Sequence, residues 1–121
     1  FEIVDNLKES FLGDFETICT VLKHLMNNAI KYRRTDIDSQ VRVEFSSTKE
    51  ATLIEVTDNG VGISEEDIDH IFEKGYRATK SAEGYGLGLF FVQRCLSRCD
   101  ATIAVESEQN AGAKFTLTFQ R

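Results

Sequence analysis

The sequence predicts an α/β (α+β) two-layer sandwich with a mixed or antiparallel sheet, and three observations carry that expectation. Apolar residues alternate in two pairs of neighbouring segments, 40–47 with 51–58 and 101–108 with 113–119, as half-buried strands require. They recur at helical spacing in 14–33 and again in 87–99. The resulting order is helix, hairpin, helix, loop, helix, hairpin, which closes most simply as helices on one face of a sheet.

Taken in order, "FEIV" (1–4) and "FL" (11, 12) read as short strands around a polar stretch. A long helix begins at Asp14, an N-cap after Gly13, with Glu16 in its first turn and a stripe of Ile18, Val21, Leu22, Leu25 and Ala29 running to about Arg33. In "QVRVEFSS" (40–47), Val41, Val43 and Phe45 alternate with Arg42, Glu44 and Ser46; "ATLIEVTD" (51–58) follows across a turn near Lys49, so the two read as a hairpin. Ser64 caps a short helix whose first turn holds Glu65, Glu66 and Asp67 and whose apolar edge is Ile68, Ile71 and Phe72. From Lys74 to Tyr85 the periodicity is lost and Gly, Ser, Thr and Lys gather, which predicts a mobile loop. "LGLFFVQRCLSRC" (87–99) resumes as a helix, and "ATIAVESE" and "AKFTLTF" finish as strands joined by the "QNAG" turn.

Bulk composition narrows the function by exclusion. The 121 residues suffice for one domain and its core. A net charge of -6 argues against a nucleic-acid surface, which needs clustered Lys and Arg. No apolar run approaches the roughly 18 to 20 residues that span a bilayer. Cys19, Cys95 and Cys99 are odd in number and form no CxxC pair, which favours reduced thiols in a cytosolic setting. The chain opens at Phe1 without methionine and runs straight into patterned sequence, as a segment of a longer protein would.

Three constellations carry chemistry. On the long helix, in "HLMNNAIKY" (24–32), His24, Asn28 and Lys31 fall within an arc of roughly 60°, at the border of the apolar stripe near Val21 and Tyr32. Lys31 offers a point charge suited to phosphate, and Asn28 a neutral oxygen that can complete the shell of a Mg²⁺ held otherwise by phosphates and water. Taken alone, the same set also describes a solvated helix face. In "DNGVGI" (58–63), Gly60 and Gly62 permit positive φ and let a ligand lie against bare backbone, while Asp58 presents an acceptor-only carboxylate that can select the exocyclic amine of adenine. Taken alone, it is also a strand ending in a glycine-rich turn. In "GYGLGL" (84–89), Gly84, Gly86 and Gly88 bare N–H groups where a helix N-terminus attracts anions. This is not the GxGxxG fingerprint, because Leu89 stands at the third glycine, and "GYRATKS" lacks the GK of a P-loop. Arg77 and Lys80 add cations in the loop between.

In their order and spacing, "HLMNNAIKY", "DNGVGI", "IFEKGYR" and "GYGLGL" resemble the N, G1, F and G2 boxes of the catalytic, ATP-binding domain of two-component sensor histidine kinases, within the wider family that holds gyrase B, Hsp90 and MutL. The resemblance runs from Asp14 to the closing "GAKFTLTF". It implies the Bergerat sandwich, with a mixed, mainly antiparallel sheet and three main helices, and it implies ATP and Mg²⁺ as cofactors. By the same resemblance Asn28 coordinates Mg²⁺, Lys31 contacts phosphate and Asp58 takes the adenine amine. Gly60 and Gly62 shape that pocket, with Tyr32 near the base or ribose. Arg77 and Lys80 reach phosphates from a lid, and Gly84, Gly86 and Gly88 form its hinge and phosphate-facing turn.

Two positions depart from the pattern. Histidine kinases most often carry Asn where His24 stands, and gyrase-like ATPases carry a Glu in that region; His24 either assists the nucleophile or fills the site. Gly75 and Tyr76 replace the second Phe and following aromatic of the F box, and Phe72 and Tyr76 are candidates for packing against partner helices.

Phosphoryl transfer needs a metal on the phosphates, cations on the γ-phosphoryl group and an in-line nucleophile. The resemblance places the nucleophile on a histidine of a separate dimerisation domain, in an H-E-x-x-x-P kind of motif. This chain has zero prolines, and neither His24 nor His70 sits in such a motif. The expectation is a monomeric catalytic half that binds Mg-ATP but does not phosphorylate itself, from a homodimeric cytoplasmic protein or the cytoplasmic portion of a membrane-bound sensor. Its partners are the dimerisation domain and a downstream response regulator. Two other readings stay open: an ATP- or ADP-sensing pseudokinase module, and an anti-sigma-type serine kinase on the same fold.

Overall fold

The computed structural model describes residues 2–6, 15–73 and 88–120. Its elements are β1 (Glu2–Asn6), α1 (Phe15–Lys31), β2 (Val41–Ser47), β3 (Ala51–Asp58), α2 (Glu65–Ile68), α3 (Gly88–Arg98), β4 (Ala101–Ser107) and β5 (Ala113–Gln120). The strands form one sheet in the order β1-β2-β3-β5-β4, with β1 parallel to β2 and the other pairs antiparallel. The two-layer α/β architecture with a mixed, mainly antiparallel sheet is therefore as the sequence predicts.

Strand alternation decides which sheet face meets the helices. Val41, Val43, Ile54, Val56, Phe115, Leu117 and Phe119 are buried. From the helix layer, Ile18, Val21, Leu25 and Ala29 of α1 and Val92 and Leu96 of α3 join them in one core. The predicted apolar stripe of α1 thus faces inward, with Leu22 half-buried at its edge. On the opposite face Lys114 and Glu55 pair at 2.7 Å across neighbouring strands. Ile3 lies in register with buried Val43 yet is 71% exposed, because β1 is an edge strand.

Local signals set the boundaries. α1 ends at Lys31, short of the predicted Arg33: Tyr32 N–H still donates to Asn28 O at 3.0 Å, then the turn tightens and the Arg33 guanidinium caps Ile30 O at 2.8 Å. Ser64 is the N-cap of α2, its hydroxyl accepting from Asp67 N–H at 3.3 Å, but the helix lasts a single turn, and the apolar edge continues as turn residues with Ile71 buried. The Asp14 cap, the strand at 11 and 12, the loop 74–85 and Tyr76 lie outside the described residues. Phe72 packs against the core.

Candidate functional site

Asp58 is the last residue of β3, in register with Val41 on one side and Ala113 on the other. A central strand that ends there delivers its carboxylate between two neighbours. Burial raises the Asp58 pKa above the ordinary carboxylate value, and the N–H groups of Gly60 and Ala113 pull it part of the way back. Among the described residues no cation shares in that shift. The Oδ1 atom accepts from Gly60 N–H at 2.9 Å, which fixes the side chain relative to its own turn.

The turn after Asp58 is held from two sides. On the α1–β2 side, Val61 N–H donates to Tyr32 O at 2.9 Å. Asn59 prolongs the β2–β3 ladder with backbone and side chain together: its N–H donates to Gln40 O at 3.2 Å, its Oδ1 accepts from Gln40 N–H at 2.8 Å, and its Nδ2 donates to Asp38 O at 2.8 Å. On the β4–β5 side, Asn110 N–H donates to Val61 O at 2.6 Å. The Ser107 hydroxyl accepts from Ile63 N–H at 2.8 Å and donates to Gly112 O at 2.6 Å. Arg34 spans the sides, donating to Asn110 O at 3.0 Å while pairing with Asp36.

The glycines serve this packing. Gly62 sits at φ +72°, and a methyl there would lie 2.0 Å from Glu108 O. At Gly60 a methyl would lie 2.6 Å from Tyr32 O and 2.9 Å from Asp58 Oδ1. Of the two glycines that permit positive φ, Gly62 adopts it and Gly60 does not. What approaches their bare faces is this chain's own backbone, because three segments converge under the turn.

Sequence reasoning did not assign Arg34, Asn59, Ser107, Asn110 or Gly112 to the site. Asn110 at φ 65° and Gly112 at φ 88° make the "QNAG" turn left-handed twice, and a methyl on Gly112 would meet Asp58 O at 2.0 Å. The Asn-x-Gly composition was the available signal. Ser107 offered none, because its role depends on strand register.

The structure thus brings Asp58, Gly60, Gly62 and Tyr32 together. Asn28 lies one helical turn before Tyr32 on α1 and is half-buried, and Lys31 is exposed at the end of the same helix. His24 is half-buried and its ring packs on Phe91 of α3, centroids 5.3 Å apart and planes tilted by 58°. Gly88 opens α3, whereas Arg77, Lys80, Gly84 and Gly86 lie outside the described residues. No group of three or more His, Cys, Asp or Glu side chains that could hold a metal ion occurs among the described residues; the amide oxygen of half-buried Asn28 is of a kind that can join phosphates and water around a Mg²⁺. An acceptor-only carboxylate with no compensating cation among the described residues suits a pure donor, so the chemistry at Asp58 fits an exocyclic amine such as that of adenine.

Fold and turn together define a two-layer α/β sandwich whose central strand ends in a braced carboxylate turn. The chain belongs to the histidine kinase-, DNA gyrase B- and HSP90-like ATPase family, whose match covers residues 13–121. It is 32% identical over 123 residues to the sensor protein RprX of Bacteroides fragilis (strain YCH46), covering 96% of this chain and 24% of that protein. It is 37% identical over 99 residues to the signal transduction histidine-protein kinase ArlS of Staphylococcus aureus (strain USA300), covering 78% of this chain and 21% of that one. Among solved structures it is similar to the mycobacterial sensor histidine kinase MprB, with a TM-score of 0.81 and 20% identity over 98% of this chain and 82% of that one. The catalytic domain of histidine kinase ThkA gives a TM-score of 0.77 at 23% identity, covering 98% and 79%. The chain spans about a quarter of the two curated relatives, and the two structures share its fold. Among the described residues no helix is long and apolar enough to cross a membrane.

Proposed function

We propose that this chain is the catalytic ATP-binding domain of a two-component sensor histidine kinase: it binds Mg-ATP and presents the γ-phosphoryl group to a histidine on a separate dimerisation domain, for onward transfer to a response regulator. The half-buried Asp58 carboxylate, desolvated and fixed at the exit of a central strand with no compensating cation among the described residues, carries the reading. A desolvated acceptor costs free energy unless a donor arrives, and the adenine amine is a pure donor. Guanine presents a carbonyl oxygen at the corresponding position, which opposes the carboxylate, so selectivity follows from the same atom.

The chain's own residues then divide the work. Asp58 orients the base, with Gly60 and Gly62 shaping the turn and Tyr32 beside it. Asn28 would hold Mg²⁺ through its amide oxygen, and Lys31 directs a positive charge to the phosphates. Mg²⁺, when bound, would supply charge neutralisation on the phosphates. Arg77, Lys80, Gly84, Gly86 and Gly88 complete the phosphate side in this reading. His24, packed on Phe91, fills the boundary between α1 and α3. A neutral imidazole needs less activation than water, so the acceptor can be left to a partner domain, and this chain alone is not expected to autophosphorylate.

Calorimetric titration with ADP, ATP and GTP, each with and without Mg²⁺, tests the binding half. The expected result is adenine-selective binding with ATP favoured by Mg²⁺; equal affinity for GTP removes the adenine assignment. Adding the parent protein's histidine-bearing domain with labelled ATP tests the transfer half. Label on that histidine is the expected outcome, whereas binding without transfer favours an ATP- or ADP-sensing module.

A further inference from the structure

We infer that Ser107 is a positioning residue for the nucleotide pocket: its hydroxyl locks the β4–β5 turn beneath the Asp58 turn and so sets where the adenine-facing carboxylate stands. The inference rests on the proposed reading of Asp58 as the base-recognising group.

The geometry is a relay through one oxygen. Ser107 Oγ accepts from Ile63 N–H at 2.8 Å, five residues past Asp58, and donates to Gly112 O at 2.6 Å, one residue before the strand partner of Asp58. The far end of the Asp58 turn and the residue before the β5 partner of Asp58 are thereby tied to one hydroxyl. Gly112, at φ +88°, would put a methyl 2.0 Å from Asp58 O, so the turn lies directly against the backbone carrying that carboxylate. Asn110 N–H adds a second tie to Val61 O at 2.6 Å, and the Arg34 guanidinium holds Asn110 O at 3.0 Å. Without the hydroxyl, half-buried Ile63 N–H loses its acceptor, and the turn has to move toward water to satisfy it. Asp58 would then be rehydrated and displaced, and displacement weakens a directional bond to the base more than it weakens the fold.

Ser107→Ala, Ser107→Thr and the control Ser97→Ala, made in the whole chain, test this. Ser97 also donates through its hydroxyl, to Gln93 O at 2.9 Å on α3, so its variant removes the same group elsewhere. Carboxyl carbon NMR reads the Asp58 titration without any nucleotide, and calorimetry reads ADP against GDP. In Ser107→Ala the Asp58 midpoint is expected to fall toward the ordinary carboxylate value. Its preference for ADP over GDP is expected to fall about tenfold, the equivalent of one lost hydrogen bond. Ser107→Thr restores both readings, and Ser97→Ala changes neither. An Asp58 midpoint that stays put or rises in Ser107→Ala overturns the positioning role, whatever the nucleotide data show. A midpoint that falls in a chain whose wild type ignores adenine nucleotides supports the positioning role and sinks the proposed function instead.

Discussion

Replacing Asp58 by Asn should move ligand affinity and unliganded stability in different directions. The carboxylate is half-buried, its pKa is raised by burial, and the two N–H groups that oppose the shift do not cancel it. A carboxyl group whose folded pKa is raised binds its proton more readily in the folded state. Stability from this group therefore rises as pH falls through that raised pKa, and at neutral pH the charge weighs against the fold. Asparagine keeps an oxygen for Gly60 N–H, now 2.9 Å from Asp58 Oδ1, while removing the desolvated charge. The urea midpoint of the free chain should hold or rise. Hydrogen bonds to charged groups are worth about 1.5–3 kcal/mol, so losing the carboxylate to the adenine amine should cost about 10- to 150-fold in ADP affinity. An amide NH₂ turned to the base would add a donor–donor conflict. Chemical unfolding and calorimetry on the same preparation give both numbers. Unchanged ADP affinity refutes the adenine assignment. A large fall in both midpoint and affinity refutes the reasoning differently, by showing that the carboxylate holds the turn rather than the ligand.

Other outcomes follow from neighbouring atoms. Gly62→Ala puts a methyl 2.0 Å from Glu108 O at φ +72°, and left-handed strain of about 1–2 kcal/mol with overpacking of about 1–3 kcal/mol should lower the urea midpoint clearly; Gly60→Ala, without the φ penalty, should lower it less. Asn28→Ala should remove the part of ATP affinity that depends on Mg²⁺ while leaving Mg²⁺-free ADP binding nearly as it was, as titrations at fixed nucleotide with varied Mg²⁺ will show. Lys31→Ala should weaken ATP more than adenosine in paired titrations. His70, whose Nδ1 lies 3.0 Å from Glu73 Oε1, has its pKa raised above 6.5 chiefly by that hydrogen bond, with Asp69 and Asp67 adding to it. Its contribution to stability is full below pH 6.5 and is lost as pH rises through the folded value. Proton NMR of the imidazole should show that value falling in Glu73→Gln.

What the sequence made legible was the part of the structure set by neighbours along the chain. Strand alternation placed β3 at residues 51–58 and β5 near 113–119, and the Ser64 cap was visible in its own spacing. α1 ended early because Tyr32 turns its carbonyl to Val61, a long-range contact that the helical stripe could not announce. At the site, the carboxylate and its glycines were readable as a motif, but what the glycines accommodate was not. Ser107 reaches Ile63 across 44 residues of sequence and Arg34 reaches Asn110 across 76. Such partners are fixed by sheet order, and no local pattern encodes it.

Sheet order also explains why the recognition turn stands where it does. β3 lies between β2 and β5, and the register sets Val41, Asp58 and Ala113 side by side. The segments that lead into β2 and into β5 therefore both arrive at the level where β3 leaves the sheet. Each brings backbone groups that must be satisfied if buried: Asn59 of the turn after Asp58 satisfies Gln40, and Ser107 of β4, which also accepts from that turn at Ile63, satisfies Gly112. A carboxylate at a sheet edge would lack one of these walls, would stay hydrated, and would gain little from meeting an amine. Between two entering strands it is partly dried and fixed before any ligand arrives, and in the proposed function that preorganisation is what makes this aspartate a base-selective contact.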